Sequence, residues 1–85
     1  MTSTDLTLHP PNDPLDLRGT PCPINFVRTK LRLENMPPGS LLEVWLDAGE
    51  PIEQVPDSLA MEGHKIEKIV EQQGFYTLQV RRSVA

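Results

Sequence analysis

With 85 residues, the chain has room for one domain whose buried fraction is low, which argues against a large enclosed substrate pocket. A formal net charge of −4 argues against a domain built to grip phosphate backbones, because that interaction needs clustered Lys and Arg. The only cysteine, Cys22, excludes an internal disulfide, and with no second thiol or His cluster near it no metal site is expected.

Residues 1–13 (MTSTDLTLHPPND) have no sustained periodicity and read as a flexible N-terminal tail before a single domain over 14–85. Asp5 stands where a secretory leader would need a basic start, and no apolar run reaches membrane-spanning length. The expected location is the cytoplasm, with no membrane partner. Leu15-Asp16-Leu17 alternates and stops at Gly19, as a short first strand and turn would. Pro21 and Pro23 then flank Cys22, and a proline in the first helical turn forfeits only an orphan N–H. A helix is predicted from about Pro23 to Asn35, stopped by Pro37-Pro38-Gly39. Phe26, Leu33 and Met36 recur at helical spacing and should pack on the sheet. Ile24, Val27 and Leu31 fall on another side, where burial of Val27 is expected and exposure of the other two is open.

Leu41 to Leu46 (LLEVWL) is a dense apolar run between turn signals, expected as a strand buried on both faces with Trp45 in the core. Glu50-Pro51 opens a second helix that ends at Gly63, and Pro56 inside it limits regular hydrogen bonding to the residues after it. His64 to Val70 and Phe75 to Arg81 lean towards period two, joined by a Gln72-Gln73-Gly74 hairpin turn. The order β-α-β-α-β-β predicts an α/β (α+β) two-layer sandwich, a mixed four-stranded sheet with both helices on one face.

Cys22 carries the candidate chemistry. A helix N-terminus favours a thiolate through its unpaired N–H groups and positive dipole end. Pro23 removes one donor, so the N–H groups of Ile24 and Asn25 are expected to support the sulfur, with Gly19 and Thr20 shaping the turn before it. For the side chains of Thr20 and Asn25, capping of backbone groups is the simpler reading and contact with the sulfur the alternative. A lone cysteine is often a small buried hydrophobe, but a strand-to-helix turn between prolines favours exposure. Arg28, Lys30 and Arg32, with Leu31, are candidate partner contacts, although three cations on a helix are usually a solvated face. His64 reads as a structural residue at a helix–strand junction. Asp47, Glu50 and Glu53 suit the start of the second helix better than a paired-carboxylate site.

The stretch LDLRGTPCP from Leu15 to Pro23 resembles the signature of the TusA/SirA-like sulfur-carrier family, in which a short strand ends in Arg-Gly and leads to Cys-Pro-x-Pro at a helix start. Pro38 to Val44 resembles the family's Gly-x-x-Leu-x-Val strand, Asp47 to Pro56 its acidic loop and Ile/Val-Pro pair, and Gly63-His64 its Gly-His; the likeness runs over 14–82. One position departs from the motif, with Asn25 where the second proline would stand. The resemblance implies the β-α-β-α-β-β sandwich and a persulfide held on Cys22. It implies relay from a cysteine desulfurase or other donor protein to a downstream acceptor, as in tRNA thiolation or cofactor biosynthesis. Such a chain is a sulfur-relay protein rather than a stand-alone enzyme, and no cofactor is implied. The alternative is a non-transferring thiol-based regulatory or protein/RNA-binding module on the same fold. Direct nucleic-acid binding is disfavoured, since the aromatic residues are only Phe26, Trp45, Phe75 and Tyr76 and the charge is acidic.

Overall fold

Six elements follow one another in a computed structural model that describes residues 14–84. They are β1 (Leu15–Asp16), α1 (Ile24–Glu34), β2 (Leu41–Asp47), α2 (Glu50–Met61), β3 (Lys65–Glu71) and β4 (Phe75–Arg81). The tail expected at 1–13 lies outside the described residues. The strands form one mixed sheet in the order β1-β2-β4-β3. β1 runs parallel to β2 with Leu15 opposite Val44, β4 runs antiparallel to β2 with Leu78 opposite Val44, and β3 pairs antiparallel with β4. A register shift between Ile66 and Lys68 interrupts the β3–β4 ladder.

The core lies between the sheet and the two helices. Leu42, Val44 and Leu46 of β2 and Leu78 and Val80 of β4 meet Leu33 of α1 and Val55 and Leu59 of α2, all fully buried. Burying a side chain of this size contributes roughly 1.5–3 kcal/mol each. No described helix is long and apolar enough to cross a membrane.

Two expectations are corrected here. β2 is buried on one face only: Leu42, Val44 and Leu46 alternate with exposed Leu41 and half-buried Glu43 and Trp45. Both helices cover the same side, so the second face of the apolar run meets solvent instead of a layer. Trp45 is therefore not a core residue. Its ring lies 5.5 Å from that of Phe75 on the open face, with the Arg18 guanidinium 4.8 Å and 4.6 Å from the two ring centres. Its indole N–H donates to Glu43 Oε2 at 2.7 Å.

Val27 is the second correction, being 45% exposed. The line of α1 that faces inward is Asn25, Thr29 and Leu33, spaced four apart on one helical face. Two polar residues thus take the buried stripe, and the apolar stripe of Ile24, Val27 and Leu31 is left outside. The Thr29 hydroxyl meets its burial by donating to the Asn25 carbonyl at 2.9 Å.

α2 passes through Pro56, which is buried like its neighbour Val55. The helix runs on both sides of it despite the missing N–H. Beyond Met61, Gly63 takes φ +97°, and the N–H groups of Gly63 and His64 return to the carbonyls of Ala60 and Leu59. That pairing satisfies two orphan carbonyls of the last turn. His64 is structural, as expected: its Nδ1 accepts the Ser83 N–H at 3.0 Å.

Candidate functional site

Cys22 reaches its place through a loop fastened at both ends. Leu17 closes β1, its N–H donating to the Trp45 carbonyl at 2.9 Å and its side chain buried. The Thr20 N–H then returns to the Leu17 carbonyl at 3.0 Å, closing a turn with Gly19 at φ +82°. A positive φ at the third position of such a turn is why glycine stands there. The Gly19 N–H donates to Asp47 Oδ2 at 2.7 Å, tying the turn to the end of β2.

Arg18 braces the same turn from the open face. Its Nε and Nη2 donate to the two Asp16 carboxylate oxygens at 2.9 Å and 2.7 Å, and its backbone N–H adds a third bond at 3.1 Å. The Arg18 side-chain bond, helped by that N–H, pulls the Asp16 carboxyl down to a pKa of about 2.

Past the turn, the Pro21 carbonyl accepts the Asn25 N–H and the Pro23 carbonyl accepts the Val27 N–H, both at 3.0 Å, starting α1. Cys22 is half-buried ahead of that helix, outside the apolar core. The Asn25 N–H is thus spent on Pro21 rather than the sulfur. The sulfur's donor is instead the Asn25 side chain, whose Nδ2–H points at Cys22 Sγ across 3.2 Å. Asn25 is fully buried, and its Oδ1 accepts the Phe26 N–H at 2.7 Å. The side chain thus does both things the sequence offered, its oxygen holding a backbone N–H and its NH₂ group meeting the sulfur. Thr20 joins the turn by its N–H, and among the described residues its hydroxyl makes no bond to the sulfur.

The first turn of α1 carries no acidic residue, whereas that of α2 carries Glu50 and Glu53. The positive end of α1 therefore has no carboxylate in its own first turn, while that of α2 is answered by two. The two helix starts lie at the same end of the sandwich. A groove of about 200 Å³ between them is lined by Cys22, Asn25, Phe26, Glu50, Gln54 and Ser58. A second, more open depression beside it is bordered by Gly19, Thr20, Cys22, Asp47 and Glu50. Sequence reasoning missed the contribution of α2 to this surface. The available signal was the parallel β1–β2 pairing, which sends both following helices the same way.

The remaining sequence candidates spread along α1. Arg28 and Leu31 are exposed, and Lys30 Nζ reaches Glu62 Oε1 at 3.6 Å, bridging α1 to the end of α2. Arg32 sits half-buried in the last turn, where a cation suits the negative helix end. Among the described residues no group of three or more His, Cys, Asp or Glu is placed to hold a metal ion.

The chain is similar to known proteins. A family model described as "Sulfurtransferase TusA" matches residues 14–82. Two similar proteins each carry the name "Putative sulfur carrier protein". One, from Thermotoga maritima, is 44% identical over 57 residues, covering 67% of this chain and 72% of the relative. The other, from Archaeoglobus fulgidus, is 42% identical over 65 residues, covering 73% of this chain and 74% of the relative.

Proposed function

The chain belongs to the TusA sulfurtransferase family, and we propose that it is a sulfur carrier that holds sulfur as a persulfide on Cys22 and relays it between proteins. The observation that carries the reading is the placement of its only cysteine, half-exposed before a helix start that lacks acidic residues and with an amide N–H on its sulfur. A thiolate is the form that attacks a sulfur donor, and both features stabilise it. In loading, the Cys22 thiolate attacks the outer sulfur of a donor persulfide. The S–S bond of the donor breaks, its thiolate leaves, and Cys22 keeps the transferred sulfur as Cys22–S–SH. With no second cysteine in the chain, the persulfide cannot collapse into an internal disulfide, which suits a carrier better than a dithiol oxidoreductase. The donor is a cysteine desulfurase or similar protein in the cytoplasm, and the acceptor a protein that thiolates tRNA or builds a sulfur-containing cofactor.

Incubation with a cysteine desulfurase and cysteine tests this. The chain should gain the mass of one sulfur atom, lose it to reductant, and gain nothing as Cys22→Ser. The serine variant should melt like wild type, because Cys22 stands outside the apolar core. A wild-type chain that gains no sulfur from any desulfurase offered would overturn the carrier reading.

A further inference from the structure

A loaded carrier presents two sulfurs to an attacking thiolate, and only one choice moves the cargo. Attack on the outer sulfur gives Cys22–S⁻ and the acceptor persulfide, R–S–SH. Attack on the inner sulfur, Sγ, gives a mixed disulfide Cys22–S–S–R and expels hydrosulfide. The two routes differ in the anion that leaves, and a hydrogen-bond donor placed on Sγ favours the first by stabilising the Cys22 thiolate as it departs.

We infer that Asn25 is that donor and directs attack to the outer sulfur of the loaded chain. Its Nδ2 lies 3.2 Å from Sγ. The amide cannot turn its oxygen to the sulfur without setting the NH₂ group against the Phe26 N–H, which now donates to Oδ1 at 2.7 Å. The Asn25 side chain is fully buried while the sulfur it meets is half-buried, so the donor is held in place from the protein side of the bond. An amide has two N–H donors. Among the described residues the Cys22 sulfur, a weak acceptor, is the partner of this NH₂ group. A buried polar group so thinly satisfied contributes little to the fold and asks for another explanation. The backbone does not duplicate it, because the Asn25 N–H is engaged by the Pro21 carbonyl. Proline, which stands here in the motif this chain resembles, has no side-chain donor to offer.

The inference rests on the carrier reading for the presence of a persulfide, but its test does not need a natural donor. The full chain is loaded chemically with inorganic polysulfide and treated with one equivalent of N-acetylcysteine, the reaction is stopped with acid before the mixed disulfide can exchange with further thiol, and free protein thiol and protein mixed disulfide are counted by mass. Wild type should return mainly free thiol. Asn25→Ala should move the ratio towards mixed disulfide by about tenfold, the size of one hydrogen bond to a charged group, and Asn25→Asp further, because a carboxylate opposes the leaving thiolate. Wild-type ratios in both variants overturn the inference. A second readout stays within the wild-type fold: one Asn25 side-chain amide proton should shift in the NMR spectrum when Cys22 is alkylated with iodoacetamide, and an unmoved pair overturns it as well. If wild type partitions as expected yet takes no sulfur from a desulfurase, the carrier reading falls and the role of Asn25 at the sulfur stands.

Discussion

The Asp47 carboxylate accepts the Gly19 N–H at 2.7 Å across 28 positions of sequence, so the turn that delivers Cys22 hangs from the last residue of a central strand. The acceptor is ionised, which makes the bond stronger than a neutral one, although its exposure limits its worth. Asp47→Ala should cost about 1 kcal/mol in denaturant unfolding and slow sulfur loading from a desulfurase by more than that loss of stability explains. Asp47→Asn keeps an acceptor oxygen and should cost less on both counts. Unchanged loading in Asp47→Ala would mean the turn holds its shape without the tether.

Acid should act on the neighbouring pair. Asp16 is held at about 2, against an ordinary 3.8, first by its side-chain bond to Arg18. A folded carboxyl that is more acidic than its unfolded counterpart contributes stability that is full above the unfolded pKa and is lost as pH falls through the folded one. Melting temperature should therefore decline from about pH 4 down to about pH 2. The decline belonging to this pair should be small, since both side chains are over two-fifths exposed. Arg18→Ala should remove that part of the acid limb and, by uncovering Trp45, change its fluorescence at neutral pH. An acid limb identical in the variant would assign it to other carboxylates.

Much of this molecule is legible in its residues, and the failures have physical causes. β4 lies at Phe75–Arg81 as read, because period-two patterning and a turn at Gly74 both mark it. The end of α2 near Gly63 is legible because only a left-handed residue permits the observed return of N–H groups. Trp45 misleads because LLEVWL has the density of a two-faced strand, although two helices on one face already leave the other side of that strand to solvent. The stripe of α1 misleads because apolar periodicity is blind to a buried Asn25 and Thr29. Those two meet their burial with side-chain bonds, one to a sulfur and the other to a helical carbonyl. The donor on Cys22 is misassigned for a related reason. The Asn25 N–H looks free for the sulfur from the sequence, yet it bonds the Pro21 carbonyl, a pairing that depends on how the chain enters the helix.

The outward stripe of α1 yields the last test. Ile24, Val27 and Leu31 are 52%, 45% and 53% exposed and share one helical face, which begins two residues after Cys22. Exposed apolar side chains contribute little to the fold, so Val27→Ser with Leu31→Ser should change unfolding free energy by no more than about 0.5 kcal/mol per site. Leu33 is fully buried on the inward face, and Leu33→Ala should cost about 2–5 kcal/mol. If the stripe seats the sulfur-donor protein, the double serine variant should load from a desulfurase with a raised KM and a kcat near wild type, because docking is weakened and the sulfur is untouched. Chemical loading with polysulfide, which needs no docking, should proceed at the wild-type rate. A double variant that loads from the desulfurase as wild type does would place the donor's seat elsewhere, with the groove that Cys22 shares with Glu50, Gln54 and Ser58 as the next surface to change.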